Sequence, residues 1–546
     1  MTLALSLFKM QFAAVWQQPR RTHAVILAIC VSILFGATLG SARSFTYHES
    51  HIVQGAREML VTGDCLIPRV GGRPWLEKPP LPQWLVAVSG SLFGHVNEFA
   101  ARLPAALCGL LGVLAFSGLI SRCRGERVGL IAGILLATST SIITYARLAE
   151  PDIFLWGIIV TALCVFASQQ VEVGSITRSS MVFFLLLGLT QTVKGPLFGA
   201  VLTLAPCCLW LAWHRGQNWK WLASPLGWLA CIGVTFAWPV AVIAQFPEAL
   251  TLWREHTFGR LDGTNTLNTK PFWYYLSTLP WQAAPAFLLA LPALPQTIRN
   301  AIQQPKSLDR FLMVWFGSMF VLLSAASGKH HHYLLHALPP WAFWATAALP
   351  WWGRRVAALW NQRWYRVLSP VLFAAFIGVA AWQVGQRGSI AAWEIVAIGV
   401  TLQAGLTLMA VMCGRGNDTA AATAFLLTLM IVTIYANVAW LGRNDIYAED
   451  AALARRLTAM TTPDDVILVY KIDPARLLLD LPRRVIVVND ASELPAAVRP
   501  GMYVLTVVLI EEEFLKQVPG QEVDRTPHPK WAGSLISHTV LLKTKK

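Results

Sequence analysis

Residues 23–84 read HAVILAICVSILFGATLGSARSFTYHESHIVQGAREMLVTGDCLIPRVGGRPWLEKPPLPQW. The first part, 23–40, is an apolar run close to the roughly 20 residues that one bilayer crossing takes. It carries no small-residue cleavage site of the signal-peptide kind and reads as a retained first span. The remainder is polar and carries Glu49, Glu58, Asp64, Glu77 and Lys78. What such a loop is for depends on which face of the membrane it occupies and on what else meets it there.

The bulk composition supports a membrane setting. The chain of 546 residues is 55% hydrophobic and 13% charged, with a mean hydropathy of +0.51. Soluble domains are about a quarter charged. The 24 Trp suit many lipid interfaces. A net charge of +15 fits cytoplasmic loops rich in Lys and Arg, with an anionic lipid or substrate as a second source, and calls for no nucleic acid. The nine Cys form no CxxC pair, so neither a zinc site nor a disulfide framework is indicated.

By length and apolarity we expect about thirteen spans: 23–42, 99–120, 127–144, 152–169, 179–195, 197–213, 225–245, 275–296, 311–327, 333–352, 366–384, 391–413 and 420–441. Basic residues sort the loops between them. Lys9, Arg20 and Arg21, then SRCRGER (121–127), HRGQNWK (214–220), TIRNAIQQPKSLDR (297–310), GRRVAALWNQRWYR (353–366) and CGRG (413–416) fall on alternate loops, the cytoplasmic side. The other loops then face out: 43–98, YARLAEPD (145–152), VKGP (193–196), 246–274, SGKHHHY (327–333) and GQRGS (385–389). The tail beyond about residue 442 falls outside as well. The expected fold is an α-helical polytopic membrane protein with a small C-terminal α/β extracytoplasmic domain. A membrane domain takes in 1–442, with the first outer loop at 43–98, and the soluble domain takes in 443–546.

In the first outer loop, Ile52, Val53, Ala56, Met59 and Leu60 fall on one helical face, and TGD (62–64) ends the helix. Its place beside a span suggests a helix lying in the membrane interface. In the tail, AEDAALARRLTAM (448–460) reads as a helix, and VILVY (466–470), RVIVVND (484–490), MYVLTVVLI (502–510) and HTVLLK (538–543) read as strands.

The residues with chemistry gather on the outer loops. Glu49 opens the interfacial helix, where the dipole favours its ionised form; its plain alternative is a first-turn Glu in a wet loop. Asp152 stands at the outer start of the fourth span, where a carboxylate faces a cavity or caps the helix. Glu77 and Lys78 precede a stiff Pro-Pro turn, and Lys is a point-charge partner for phosphate. Lys329, three consecutive His and Tyr333 share another outer loop, with Lys329 and Tyr333 suited to cradle a phosphate. Arg254, His256, Arg260 and Lys270 add further cations, and Lys194 reads either as one more or as a snorkelling interfacial Lys. Cations on the outer face run against the charge rule and call for an anionic client, of which a lipid-borne phosphate is the natural candidate.

These motifs resemble the membrane glycosyltransferases of the GT-C superfamily, in particular the bacterial undecaprenyl-phosphate aminoarabinose (lipid A) transferase family and its protein mannosyltransferase relatives. The stretch HESHIVQGAREMLVTGDCLIPRVGGRPWLEKPPLPQW carries most of the likeness, with ARLAEPD, KGP, the REH…PFWYY segment and K…HYLLHALPP. The resemblance implies transfer of a sugar from a polyprenyl-phosphate donor, with inversion, at the periplasmic face of the cell inner membrane. The acceptor would be lipid A, another glycolipid, a glycan or a protein, and the protein would be multi-pass with its N-terminus cytoplasmic and its C-terminus periplasmic. It implies donor-phosphate contacts at Lys78, Arg260 and Tyr333, with Lys329 and Arg254 beside them, and a divalent metal ion at Glu77 and His256. Asp152 matches the family's acidic residue in the second outer loop. Where the family has Asp-Glu, with the Asp catalytic, this chain has His48-Glu49: either Glu49 takes over, or His48 and Glu49 work with Asp152, or the chemistry differs, and the candidate catalytic residues are Glu49, Asp152 and His48. The alternative is a transporter or flippase for lipid-linked sugars. Transporters place charged sites near the bilayer midplane and often carry internal repeats, whereas the polar residues here cluster at one face and no repeat is visible.

Overall fold

The computed structural model describes residues 20–40, 43–171, 179–195, 197–213, 219–253, 269–385, 392–437, 445, 448–473, 475–526 and 539–545. The chain forms two compact units. The first comprises Met1–Leu39, Glu77–Pro82 and Arg102–Trp440, the second Gly40–Leu76, Gln83–Ala101 and Leu441–Lys546. Most of the first outer loop therefore packs in one unit with the C-terminal segment. A boundary drawn at residue 442 from composition does not see this, because it follows chain order.

In the first unit, helical segments occupy every stretch expected to span. Among the described residues, six are long and apolar enough to cross a membrane, or seven if the helices Glu126–Ala137 and Thr140–Ala146, bent by 71°, form one broken span. The expectation of about thirteen counts apolar runs that the backbone shortens or interrupts. The run 275–296 is divided into Tyr274–Gln282, Ala286–Ala290, Leu291–Ala293 and Leu294–Gln303, where Pro280, Pro285, Pro292 and Pro295 remove helix donors. The run 333–352 starts as a 3-10 turn, His331–Ala337, and becomes an α-helix only at Pro339.

The helix Pro151–Gln170 forms the core of this unit. It is apolar all round, and Ile153, Phe154, Leu155, Trp156, Ile159 and Val160 are fully buried, as expected for a helix with protein on every side. Small residues let it come close to Glu98–Arg124. A Cβ on Gly157 would sit 2.5 Å from the Cys108 carbonyl oxygen, and one on Gly112 would sit 2.5 Å from the Trp156 ring. Helix Ser179–Lys194 packs along another side. The loop before Pro151 is fastened by Arg147. Its guanidinium donates to the carbonyls of Leu34 (3.3 Å), Phe35 (3.3 Å) and Ala37 (2.5 Å) and to the Thr38 hydroxyl (3.2 Å). These include carbonyls at the end of the first helix, which have no intrahelical partner.

The second unit is built on a five-stranded sheet. Its strands are β3 (Val466–Tyr470), β4 (Arg484–Val488), β5 (Tyr503–Val507), β6 (Gly520–Arg525) and β7 (Thr539–Thr544); β1 (Arg69–Val70) and β2 (Arg73–Pro74) form a separate small hairpin. The order is β4-β3-β5-β7-β6, with β3 parallel to β4 and β5, and β7 antiparallel to β5 and β6. Strand alternation sends Leu468, Tyr470, Val504 and Leu542 to one face, against Phe514 of helix Val508–Gln517. Ile467, Val469, Leu505 and Leu541 go to the other face, against Leu453, Leu457 and Leu477 of helices Ala448–Met460 and Ala475–Asp480.

The helix Tyr47–Thr62 belongs to this unit. Its start is a capping box. The Thr46 hydroxyl accepts the Glu49 N–H at 3.1 Å, and Glu49 Oε2 accepts the Thr46 N–H at 2.9 Å. Its end is Gly63, at φ +73°, whose N–H returns to Met59. Only glycine takes this left-handed position without cost. The face formed by Ile52, Val53, Ala56 and Met59 is buried, but against protein rather than lipid. The helix packs on Ala475–Asp480, and Arg57 donates to the Leu479 carbonyl at 3.0 Å. Leu60, placed on the same face by periodicity, is 42% exposed.

Candidate active site

The first unit brings outer-loop residues together around Asp152. Helix Pro151–Gln170 begins with Pro151, pre-set for the first helical position, so Asp152 lies in its first turn, where the helix dipole favours a carboxylate. Asp152 is buried, and Lys194 donates to its Oδ1 at 2.7 Å. Lys194 is the last residue of helix Ser179–Lys194, the end that favours a cation. Gly195 follows at φ +88° and Leu197 at φ +77°. A bulky side chain rarely adopts such a φ, and here the Leu197 N–H is held by Gln191 Oε1 at 2.7 Å. The Lys194 ammonium also lies 4.2 Å from the centre of the Tyr333 ring and 5.1 Å from that of Phe198, a cation–π arrangement.

The His-rich loop closes over this pair. His332 Nε2 is 3.7 Å from Asp152 Oδ2, too long for a hydrogen bond. Burial, with Lys194, His330 and His331 nearby, pushes the His332 ring down to about 3 even though Asp152 opposes it, so the ring is neutral at physiological pH. The Tyr145 hydroxyl lies 3.0 Å from His331 Nε2, and the Tyr275 hydroxyl donates to the His330 carbonyl at 3.0 Å, which fixes the loop's path. His336 is fully buried, and among the described residues neither ring nitrogen has a hydrogen-bond partner.

Lys78 is half-buried and faces the same charges. Burial, and then repulsion by Lys194, hold its ammonium below the usual lysine range against the pull of Glu77, Asp152 and Glu150. Two lysines that repel each other beside a single buried ion pair can accept a further anion, which relieves that repulsion. The arrangement thus offers a fixed carboxylate for a positive centre and two ammonium groups for a negative one.

The other expected residues fare differently. Lys329 is buried with its ammonium directed at backbone, donating to the carbonyls of Lys270 (3.1 Å) and Ala326. In this arrangement it braces the loop. Tyr333 lies beside Lys194. Glu49 and His48 belong to the second unit, where Glu49 is fully buried in its capping box and His48 is exposed. Glu77 is exposed. Arg254, His256 and Arg260 lie outside the described residues. Among the described residues, no group of three or more His, Cys, Asp and Glu side chains could hold a metal ion. Sequence reasoning noted Lys194 only as an outer cation and missed it as the partner of Asp152. The available signal was a single Lys ending an apolar helix on the same face as ARLAEPD.

The chain is similar to known proteins in sequence and in fold. Residues 77–243 match the dolichyl-phosphate-mannose-protein mannosyltransferase family, a segment that contains Lys78, Asp152 and Lys194. By fold, the chain is similar to the crystal structure of ArnT from Cupriavidus metallidurans bound to undecaprenyl phosphate. The TM-score is 0.74 at 19% identity, over 95% of this chain and 97% of that one. It is also similar to the Archaeoglobus fulgidus oligosaccharyltransferase, with TM-score 0.52 at 12% identity, over 95% and 75% of the two chains. The chain therefore shares its fold with these two proteins. Its relatives in sequence are proteins named undecaprenyl phosphate-alpha-4-amino-4-deoxy-L-arabinose arabinosyl transferase. That from Pseudomonas savastanoi pv. phaseolicola is 29% identical over 55% of this chain and 56% of its own length. That from Edwardsiella ictaluri is 31% identical over 54% and 53%, and that from Serratia proteamaculans is 25% identical over 75% of each. The chain spans a little over half the length of the first two. The resemblance read from HES…PQW to this transferase family is borne out in sequence and in fold.

Proposed function

We propose that the chain is an integral membrane glycosyltransferase of the cell inner membrane. It moves a sugar, with inversion, from a polyprenyl-phosphate donor to an acceptor on the periplasmic face: lipid A, another glycolipid, a glycan or a protein. About thirteen spans put the N-terminus in the cytoplasm and the C-terminal α/β unit in the periplasm. The observation that carries the reading is the buried Asp152–Lys194 pair with Lys78 and Tyr333 beside it. The names of the sequence relatives support the donor class.

The residues divide the work by charge. Lys78 and Lys194, with Tyr333, stabilise the negative charge that develops on the departing polyprenyl phosphate. Arg254 and Arg260 are further donor-phosphate contacts, and Lys329 holds the loop that carries Tyr333. The anomeric carbon gains oxocarbenium character, which a fixed carboxylate favours. Asp152 fills that role, and it or Glu49, with His48 adjacent, takes the proton of a hydroxyl acceptor. A divalent ion at Glu77 and His256 remains part of the proposal, with no step assigned to it.

Two experiments test this. Lipid and glycan mass spectrometry of cells with and without the gene should show one class of molecule losing a pentose- or hexose-sized increment. Identical spectra under conditions where the protein is produced would remove the transferase reading. Glu49→Gln should abolish transfer yet keep the helix, because Gln also completes a capping box. A stability change within about 0.5 kcal/mol is expected, against about 1 kcal/mol for loss of a cap. Full turnover in that variant would leave Glu49 with its capping role alone.

A further inference from the structure

The second unit contains a cavity of about 490 Å³, lined by His51, Arg73, Trp75, Lys471, Asp473 and Asn489 among others. We propose that it binds a phosphorylated saccharide. The cavity sits beyond the carboxyl ends of the parallel strands β3 and β4, where open α/β sheets bind their ligands. Residues 471–473 leave β3 there, and Val487 and Asn489 come from the end of β4. Its volume falls within the range of small-ligand sites.

The lining has the three elements that saccharide phosphates require. The first is an aromatic platform for the apolar face of a sugar ring. Trp75 and His51 lie with ring centroids 5.3 Å apart and planes tilted by 33°. Second are fixed polar groups for hydroxyls. The Asp473 carboxylate is oriented by His51 Nε2 (2.6 Å), by the Tyr47 hydroxyl (2.8 Å) and by the Ala475 N–H (2.9 Å), and Asn489 also lines the cavity. The third is a cation for the phosphate. Arg73 donates one N–H to the Val487 carbonyl at 2.5 Å, which orients its guanidinium. Among the described residues it has no carboxylate partner, and a planar guanidinium is suited to bind phosphate through two donors. Lys471 adds a second positive charge, which it shares with Glu513 at 2.7 Å. Its backbone stands at φ +52°, a strained position for a residue other than glycine, and strain of this kind gathers at ligand sites. A merely solvated cleft would not need an oriented guanidinium, a braced carboxylate and a ring platform in one cavity.

Binding is measured on the purified full-length protein in detergent by saturation-transfer NMR, with glucosamine 6-phosphate as probe and no donor lipid present. The expected result is saturable binding that weakens about tenfold or more when the phosphate is missing (glucosamine) or in Arg73→Met. Trp75→Leu should weaken it too, and serves if Arg73→Met does not fold. Inorganic phosphate binding as tightly as the sugar phosphate would overturn the saccharide assignment. Undiminished binding in Arg73→Met and Trp75→Leu, or no binding to the wild-type protein, would overturn the site. Because no turnover is involved, a failed transferase reading and a failed binding site give different results.

Discussion

Asp152→Asn should lower sugar transfer by about 10²–10⁴-fold and also destabilise the first unit. The second effect follows from the geometry. Lys194 donates to Asp152 at 2.7 Å with both side chains largely buried, and removing one member of a buried pair leaves the other charge uncompensated, at a cost of about 3–5 kcal/mol. Loss of activity alone would therefore not separate chemistry from folding. The double variant Asp152→Asn/Lys194→Gln does. It replaces the ion pair with two neutral groups of similar size, and its thermal stability should return most of the way to wild type. Its transfer rate should not recover, because both the carboxylate proposed to face the sugar and one of the cations proposed to face the phosphate are gone. A double variant that regains stability and turnover together would reduce the pair to a structural brace.

The apolar runs and the tail strands were legible because each follows a local rule. A membrane helix announces itself by length, and VILVY and HTVLLK by β-branched and apolar residues that end up buried on both faces of a sheet. β6, with the sequence GQEVDR, was not legible. It is an edge strand whose side chains are mostly exposed, so no burial pattern marks it. MYVLTVVLI reads as one strand, but the chain turns into a helix at Val508. The acidic run that follows is compatible with a helix and only tertiary packing sets the boundary. In the candidate site, Asp152, Lys78 and Tyr333 could be named from residue type and loop position. The Asp152–Lys194 pairing joins positions 42 apart, and a Lys at a membrane edge has a sufficient local explanation in snorkelling. The Thr46–Glu49 capping box was open to view as the S/T-x-x-E pattern; reading Glu49 for its chemistry drew attention from its structural bond. The amphipathic helix at 47–62 shows the same limit. Periodicity identified an apolar face but not whether lipid or the helix Ala475–Asp480 covers it.

Lys78→Met should raise the KM for the polyprenyl-phosphate sugar by about 10–100-fold, the worth of one hydrogen bond to a charged group, about 1.5–3 kcal/mol. The fall in kcat should also be marked if the contact strengthens as the phosphate departs. The pH dependence adds a sharper signature. Burial and the neighbouring Lys194 hold the Lys78 ammonium below the ordinary lysine range. The charge that grips the phosphate is present below that lowered pKa and disappears as pH rises through it, so donor affinity should decline on the alkaline side before an ordinary lysine, near 10.4, would lose its proton. Bound phosphate favours the charged form, so the decline should lie at lower pH for free enzyme, reported by kcat/KM, than for the donor complex, reported by kcat. Lys78→Arg keeps its charge throughout this range. It should restore part of the affinity and remove the alkaline decline in kcat/KM, while Lys78→Met should give a low, flat profile. Wild-type and Lys78→Arg profiles that fall together at the same alkaline pH would place the titrating group elsewhere and take Lys78 out of the phosphate site.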